Sequence, residues 1–117
     1  MINLTQHNPT PDQIASGVVD LPAGDRATLR GLLTINDLPT AGDLAERAAG
    51  IAALATGHTA AMIGGAPYLM GPLAAALRAV GVTPYHSFTR RVVVETAAAD
   101  GTTTKTAIFR HDGWIEG

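Results

Sequence analysis

Ala60-Ala61-Met62-Ile63-Gly64-Gly65-Ala66-Pro67, continued by Tyr68-Leu69-Met70-Gly71-Pro72-Leu73-Ala74-Ala75-Ala76-Leu77, is the stretch whose reading decides the fold. The opening residues form a short uncharged apolar run, the signature of a strand buried on both faces in a parallel sheet. Two glycines then permit a tight turn and a close approach of backbone to another group. Pro67 or Pro72 suits the first helical position, where a missing N–H costs nothing. The unit is strand, glycine turn, helix. Free amides at such a helix start, with the helix dipole behind them, favour an anion, typically a phosphate. A purely structural turn is the competing reading, since neither GxGxxG nor GxxxxGK[ST] is present.

Working outward, the same alternation recurs. Ile2-Asn3-Leu4-Thr5-Gln6-His7 reads as a strand that turns polar at its end, and Asn8-Pro9-Thr10-Pro11 breaks it. Thr10 as N-cap and Pro11 at N1 predict a short helix over residues 12–15, stopped by Gly17. Val18-Val19 reads as a brief second strand. Asp25 caps a helix over 26–33, in which Leu29, Leu32 and Leu33 share a face. Thr40 caps another from Ala41 to about Thr56, with Leu44, Ala48, Ile51 and Ala52 inward and Asp43, Glu46 and Arg47 toward water. Gly57 supplies its C′ position. After a helix over 68–80 and a stop at Gly81, residues 82–88 read as a further parallel strand. The valine-rich stretch 89–96, the Asp100-Gly101 turn and residues 104–109 form an antiparallel hairpin, and residues 110–115 close the chain. The expected fold is α/β: one domain over 1–117, a three-layer Rossmann-like sheet, mostly parallel, with a C-terminal hairpin.

Composition narrows the function. The chain has 117 residues, 46% hydrophobic but only 4% aromatic, so its core must be aliphatic. A net charge of −2 lacks the basic face that duplex nucleic acid requires. There is no cysteine, and the histidines show no HxxxH spacing, so neither a metal site nor a cofactor is expected. No signal peptide or membrane-length apolar run is visible, which predicts a cytoplasmic chain free of membrane contacts.

Ligands of open α/β sheets bind beyond the carboxyl ends of the parallel strands. Three such ends carry chemistry here: Thr5, Gln6, His7 and Asn8 after the first, Gly64, Gly65 and Ala66 after the central one, and His86 and Ser87 with Arg90 and Arg91 after the last. Amides and guanidiniums suit phosphoryl charge, while hydroxyl and amide side chains suit ribose and base. Strand alternation sends Arg90 and Arg91 to opposite faces, so at most one enters a site. His58 follows a helix end and reads as surface. The aspartates at 12, 20, 25, 37 and 43 fall at helix starts and turns, where capping explains them.

With that rim assembled, the segments Asn3–His7, Thr10-Pro11-Asp12-Gln13 and Met62–Pro67 resemble those of small stand-alone CRISPR-associated Rossmann-fold (CARF) proteins. The Ser87-Phe88-Thr89-Arg90-Arg91 segment is similar in character to their last parallel strand. The resemblance is one of layout over nearly the whole chain, carried by short motifs. It implies a homodimer that binds a cyclic oligoadenylate messenger and, in the ring nucleases, opens the ring without a metal by attack of a ribose 2′-hydroxyl, switching off type III signalling. Thr5, Gln6, His7, Gly64 and Gly65 take the matching positions. The lysine often placed at such sites is missing, Lys105 in the hairpin being the only one. On this reading His7 shuttles a proton, Thr5 positions the ribose or phosphate, and Arg90 or Arg91 joins the Gly65 and Ala66 amides on the phosphoryl oxygens. A non-catalytic messenger-binding module or sponge, and a small phosphometabolite enzyme, are the alternatives.

Overall fold

A computed structural model describes residues 1–117. Four strands, β1 (Ile2–Leu4), β2 (Ala60–Ile63), β3 (Thr83–Ala97) and β4 (Thr103–Glu116), form one mixed sheet in the order β1-β2-β3-β4. The β1–β2 and β2–β3 pairs are parallel, and β3–β4 is antiparallel. Helices α1 (Pro11–Ala15), α2 (Ala23–Leu33), α3 (Ala41–Leu54) and α4 (Pro67–Ala79) connect them. The molecule is an α/β protein with the expected parallel strands and C-terminal hairpin.

Local chemistry accounts for the helix boundaries. Thr10 and Gln13, and likewise Thr40 and Asp43, form reciprocal capping boxes at the starts of α1 and α3. The Thr40 N–H and hydroxyl hold the Asp43 carboxyl below the usual carboxylate range. Pro67 occupies N1 of α4, while Pro72 lies inside that helix. There it removes the amide that would bond the Tyr68 carbonyl. Arg47 is half-buried rather than turned wholly to water, because its guanidinium is engaged. Its Nη1 donates to the carbonyls of Leu32, at 2.9 Å, and Thr34, at 3.0 Å. Carbonyls at the end of α2 lack helical partners, and a cation there also meets the negative end of the helix dipole.

The sheet register divides the residues between two faces. Ile2, Leu4, Ala61 and Ile63 share one face and join Leu29, Ile51, Leu69, Leu73 and Leu77 in a single aliphatic core under α2, α3 and α4. Asn3 and Met62 occupy the opposite face. On that side α1 is tied to the sheet through Gln13, whose Nε2 donates to Ser87 Oγ at 3.2 Å.

Two expectations change. Val18-Val19 does not form a strand: Val19 makes only a single parallel bridge to Ile2. Only Asp20 and Leu21 separate Val19 from Pro22, the N-cap of α2, which leaves too little chain for a ladder. The segments at 83–88 and 89–96 are not separate strands either. They fuse into β3, and 104–109 and 110–115 fuse into β4, the paired register running from Tyr85↔Glu116 to Ala97↔Thr103 with one irregularity at Phe88/Thr89. No glycine, proline or turn dipeptide separates Phe88 from Thr89, so nothing local stops the pairing there. The resulting ribbon projects from the body and stretches the molecule to 59 × 32 × 26 Å.

Candidate functional site

With the Val19 bridge included, the chain leaves β1 toward one edge of the sheet and returns as β2 on its other side. The crevice between the carboxyl ends of β1 and β2 is therefore the place where connections diverge, where α/β sheets receive their ligands. A cleft of about 460 Å³ occupies it, lined by Thr5, Gln6, His7, Leu33, Gly64, Gly65 and Ala66. Six of these seven come from the two segments singled out in the sequence. The seventh, Leu33, stands on the apolar face of α2, ends that helix and lines the cleft.

Asn3 shapes the β1 side. It is 3% exposed, and every polar atom of its side chain is engaged. Its Nδ2 donates to the His7 carbonyl at 2.8 Å and to Asp20 Oδ1 at 3.0 Å. Its Oδ1 accepts from the Thr5 N–H at 2.9 Å and the Thr5 hydroxyl at 2.7 Å. The Thr5 oxygen in turn accepts from the His7 N–H at 3.3 Å. Thr5 thus shapes the loop, a positioning role, rather than offering a free hydroxyl. The Gln6 amide and the His7 imidazole are exposed and hydrogen-bond to nothing in the chain, so they are the polar side chains presented to the cleft.

On the β2 side Gly65 has φ +148°, a backbone conformation that side-chain-bearing residues rarely adopt. A Cβ on Gly64 would lie 3.3 Å from Thr5 Cγ2, so that glycine lets the two loops meet. Helix α4 starts at Ala66-Pro67 without a side-chain cap and without an acidic residue in its first turn. The other three helices carry Asp12, Asp25 and Asp43 there. The uncapped positive end of α4 faces the cleft.

The remaining predicted residues lie outside this lining. Asn8 Oδ1 accepts from Arg26 Nη2 at 2.8 Å. Ser87 Oγ lies 2.5 Å from His111 Nδ1 and also accepts from Gln13 Nε2, so it is engaged away from the cleft. His86 sits beside Gly117 and Ile63. Arg90 donates to Asp112 at 2.8 Å on the projecting ribbon, and Arg91 lies on the ribbon's other face. The cations nearest the cleft are instead Arg26 and Arg30 of α2, which border a small recess with Asn3, Thr5, Gln6 and Asp20. Their four-residue spacing, which puts both on one face of α2, is the signal in the sequence that could have found them. Among the histidines, aspartates and glutamates no group of three is placed to hold a metal ion.

Asn3→Asp tests the scaffold. It would set a second carboxylate where Nδ2 now bonds Asp20, and is expected to cost about 1–3 kcal/mol at neutral pH. Like charges raise the folded-state pKa of one partner. The deficit relative to wild type should therefore shrink as pH falls from about 7 to about 4.5, read as urea midpoints against pH. A deficit independent of pH would contradict this charge placement.

These features define an α/β protein with a ligand-sized crevice at the carboxyl ends of two parallel strands. The chain belongs to the Uncharacterized protein MJ1673 family, which it matches over residues 1–115. No curated protein and no solved structure matches it. No helix is long and apolar enough to cross a membrane.

Proposed function

We propose that the protein is a Rossmann-like, CARF-type domain that binds a cyclic oligoadenylate in the β1–β2 crevice and opens its ring, acting as a homodimer. The observation that carries this reading is the cleft itself, which unites Thr5-Gln6-His7 with Gly64-Gly65-Ala66. Both segments belong to the stretches on which the resemblance rests.

The chemistry asks little of the protein. The ribose 2′-oxygen attacks the adjacent phosphorus and forms the 2′-O–P bond. The P–O5′ bond breaks, the 2′-hydroxyl proton is released, and the 5′-oxygen takes up a proton. The products are a 2′,3′-cyclic phosphate and a 5′-hydroxyl. Amides at the start of α4 would hold the phosphoryl oxygens, with Arg30 in reach of the same rim. Arg90 and Arg91 project along the ribbon and would serve only if a second chain brought them to the cleft. His7, the one titratable side chain in the lining, would carry the proton. Gln6 would hydrogen-bond the ribose or the base.

Binding without cleavage is the second reading, because His7 has no acid–base partner in the lining. The test is incubation with a panel of cyclic oligoadenylates in EDTA, followed by chromatography for retention and for linear products. Cleavage to a 2′,3′-cyclic phosphate supports the ring nuclease. Retention without cleavage assigns a binding module, and neither result would overturn both readings.

A further inference from the structure

Beyond Phe88 the β3–β4 ribbon leaves the body, and from Thr89 to Asp100 it would reach about 36 Å at roughly 3.3 Å per residue. Two-stranded ribbons without further packing are marginal in water. This one nevertheless carries an apolar stripe. Val92 faces Ile108 across the strands, Val94 lies one step beyond, and Phe88 stands at the base, 47% exposed. By strand alternation these residues continue the sheet face that α2, α3 and α4 cover in the body. No helix reaches them there.

Charge is distributed unevenly along the same ribbon. Arg90 and Arg110 sit directly opposite each other near the base, an arrangement that destabilises a strand pair. Arg90 is offset by Asp112, whereas Arg110 has no ion pair in the chain. At the far end Asp100 is exposed, its carboxylate accepting from the Thr102 N–H and hydroxyl. Those two bonds hold the carboxyl below its usual range, so it is charged well into the acidic region. One ribbon thus reads, from base to tip, cationic, apolar, anionic.

We infer that the ribbon is a dimerisation arm, packing antiparallel across a twofold axis on the arm of a second copy of this chain. Centred near Val94, that arrangement stacks Val94 on its symmetry copy, with Val92 and Ile108 flanking it at the level of the partner's Thr96 and the partner's Thr104. It also brings the partner's Asp100 within reach of Arg110, and the reverse. An antiparallel twofold matches each end with its opposite charge, which a parallel pairing of the same arms would not. The arm rises from the rim that carries the cleft, so the two clefts would face each other along it. The inference rests on the ribbon alone and does not depend on what the cleft binds.

Sedimentation velocity on the full chain, across a range of micromolar concentrations, tests it. Wild type is expected to dimerise. The double variant Val94→Asp/Ile108→Asp should weaken the dimer by at least about 100-fold, since it would place unpaired carboxylates in the contact. Circular dichroism and the thermal transition of the body should be unchanged, because both positions lie outside it. Arg110→Glu should weaken the dimer about tenfold, and Arg110→Glu/Asp100→Lys should recover most of that loss. A monomeric wild type overturns the inference. So does a Val94→Asp/Ile108→Asp variant that dimerises like wild type, which would place the interface elsewhere. Failure of the charge swap to recover the dimer overturns the antiparallel arrangement. Monomers that bind single-stranded RNA through the arm would assign its arginines to nucleic acid instead.

Discussion

His7→Ala is expected to slow cleavage of a cyclic oligoadenylate by about 10²–10⁴-fold, the range that a positioned general acid or base supplies. That corresponds to about 2.7–5.5 kcal/mol of transition-state stabilisation. Binding should change little, because the loop is shaped by the His7 backbone rather than its ring: the carbonyl accepts from Asn3 and the N–H donates to Thr5. Alanine keeps both backbone groups and so leaves the cleft in shape. Single-turnover rates and equilibrium binding, measured separately, check both halves. Activity should persist in EDTA, as no cluster of metal-ligating side chains is present. A variant that cleaves at the wild-type rate would remove His7 from proton transfer. Geometry and the α4 amides would then account for the rate, and Arg30 would be the next residue to replace. Thr5→Ala is expected to act differently, by loosening the loop and weakening affinity, since its hydroxyl is engaged with Asn3 Oδ1.

Gly65→Val is expected to abolish ligand binding while the body remains folded. The backbone at Gly65 has φ +148°. A β-branched side chain held there would cost of order 1–3 kcal/mol, so the loop would relax into another conformation. The space itself is not forbidding: an added Cβ would meet Met70 Cε at 3.5 Å and Leu33 Cδ2 at 3.6 Å, ordinary contacts. The consequence falls on the direction of the Gly65 and Ala66 amides and on the entry into α4. Titration with the cyclic oligoadenylate that wild type retains, beside a thermal melt, separates lost binding from lost fold. Gly64→Ala should be milder, displacing only the Thr5 methyl that lies 3.3 Å from the added carbon. Unchanged affinity in Gly65→Val would make the turn structural only.

Much of the architecture was legible because its signals are local. Reciprocal caps at Thr10/Gln13 and Thr40/Asp43 marked two helix starts. The uncharged run 60–63 marked a doubly buried strand, and Gly64-Gly65 marked the turn after it. These depend on neighbours a few residues away, whose chemistry is visible in order along the chain. The two loops lining the cleft were legible for the same reason, since each directly follows a strand.

What only the tertiary structure decided are relations between distant residues. Asn3 reads as one polar residue in an apolar strand, yet it links the His7 carbonyl, Asp20 and Thr5. Arg47 reads as a solvated helix face, yet it caps the end of α2 across sixteen to thirteen positions of sequence. Arg90 and Arg91 follow a parallel strand and so read as rim residues. Continued pairing with β4 carries them up the ribbon, and α2 leaves Arg26 and Arg30 nearest the cleft in their place. Period and capping reveal which face of an element is apolar and where it stops. Which long side chain reaches which carbonyl or carboxylate depends on how elements pack, and that is set by the shared core rather than by any local stretch.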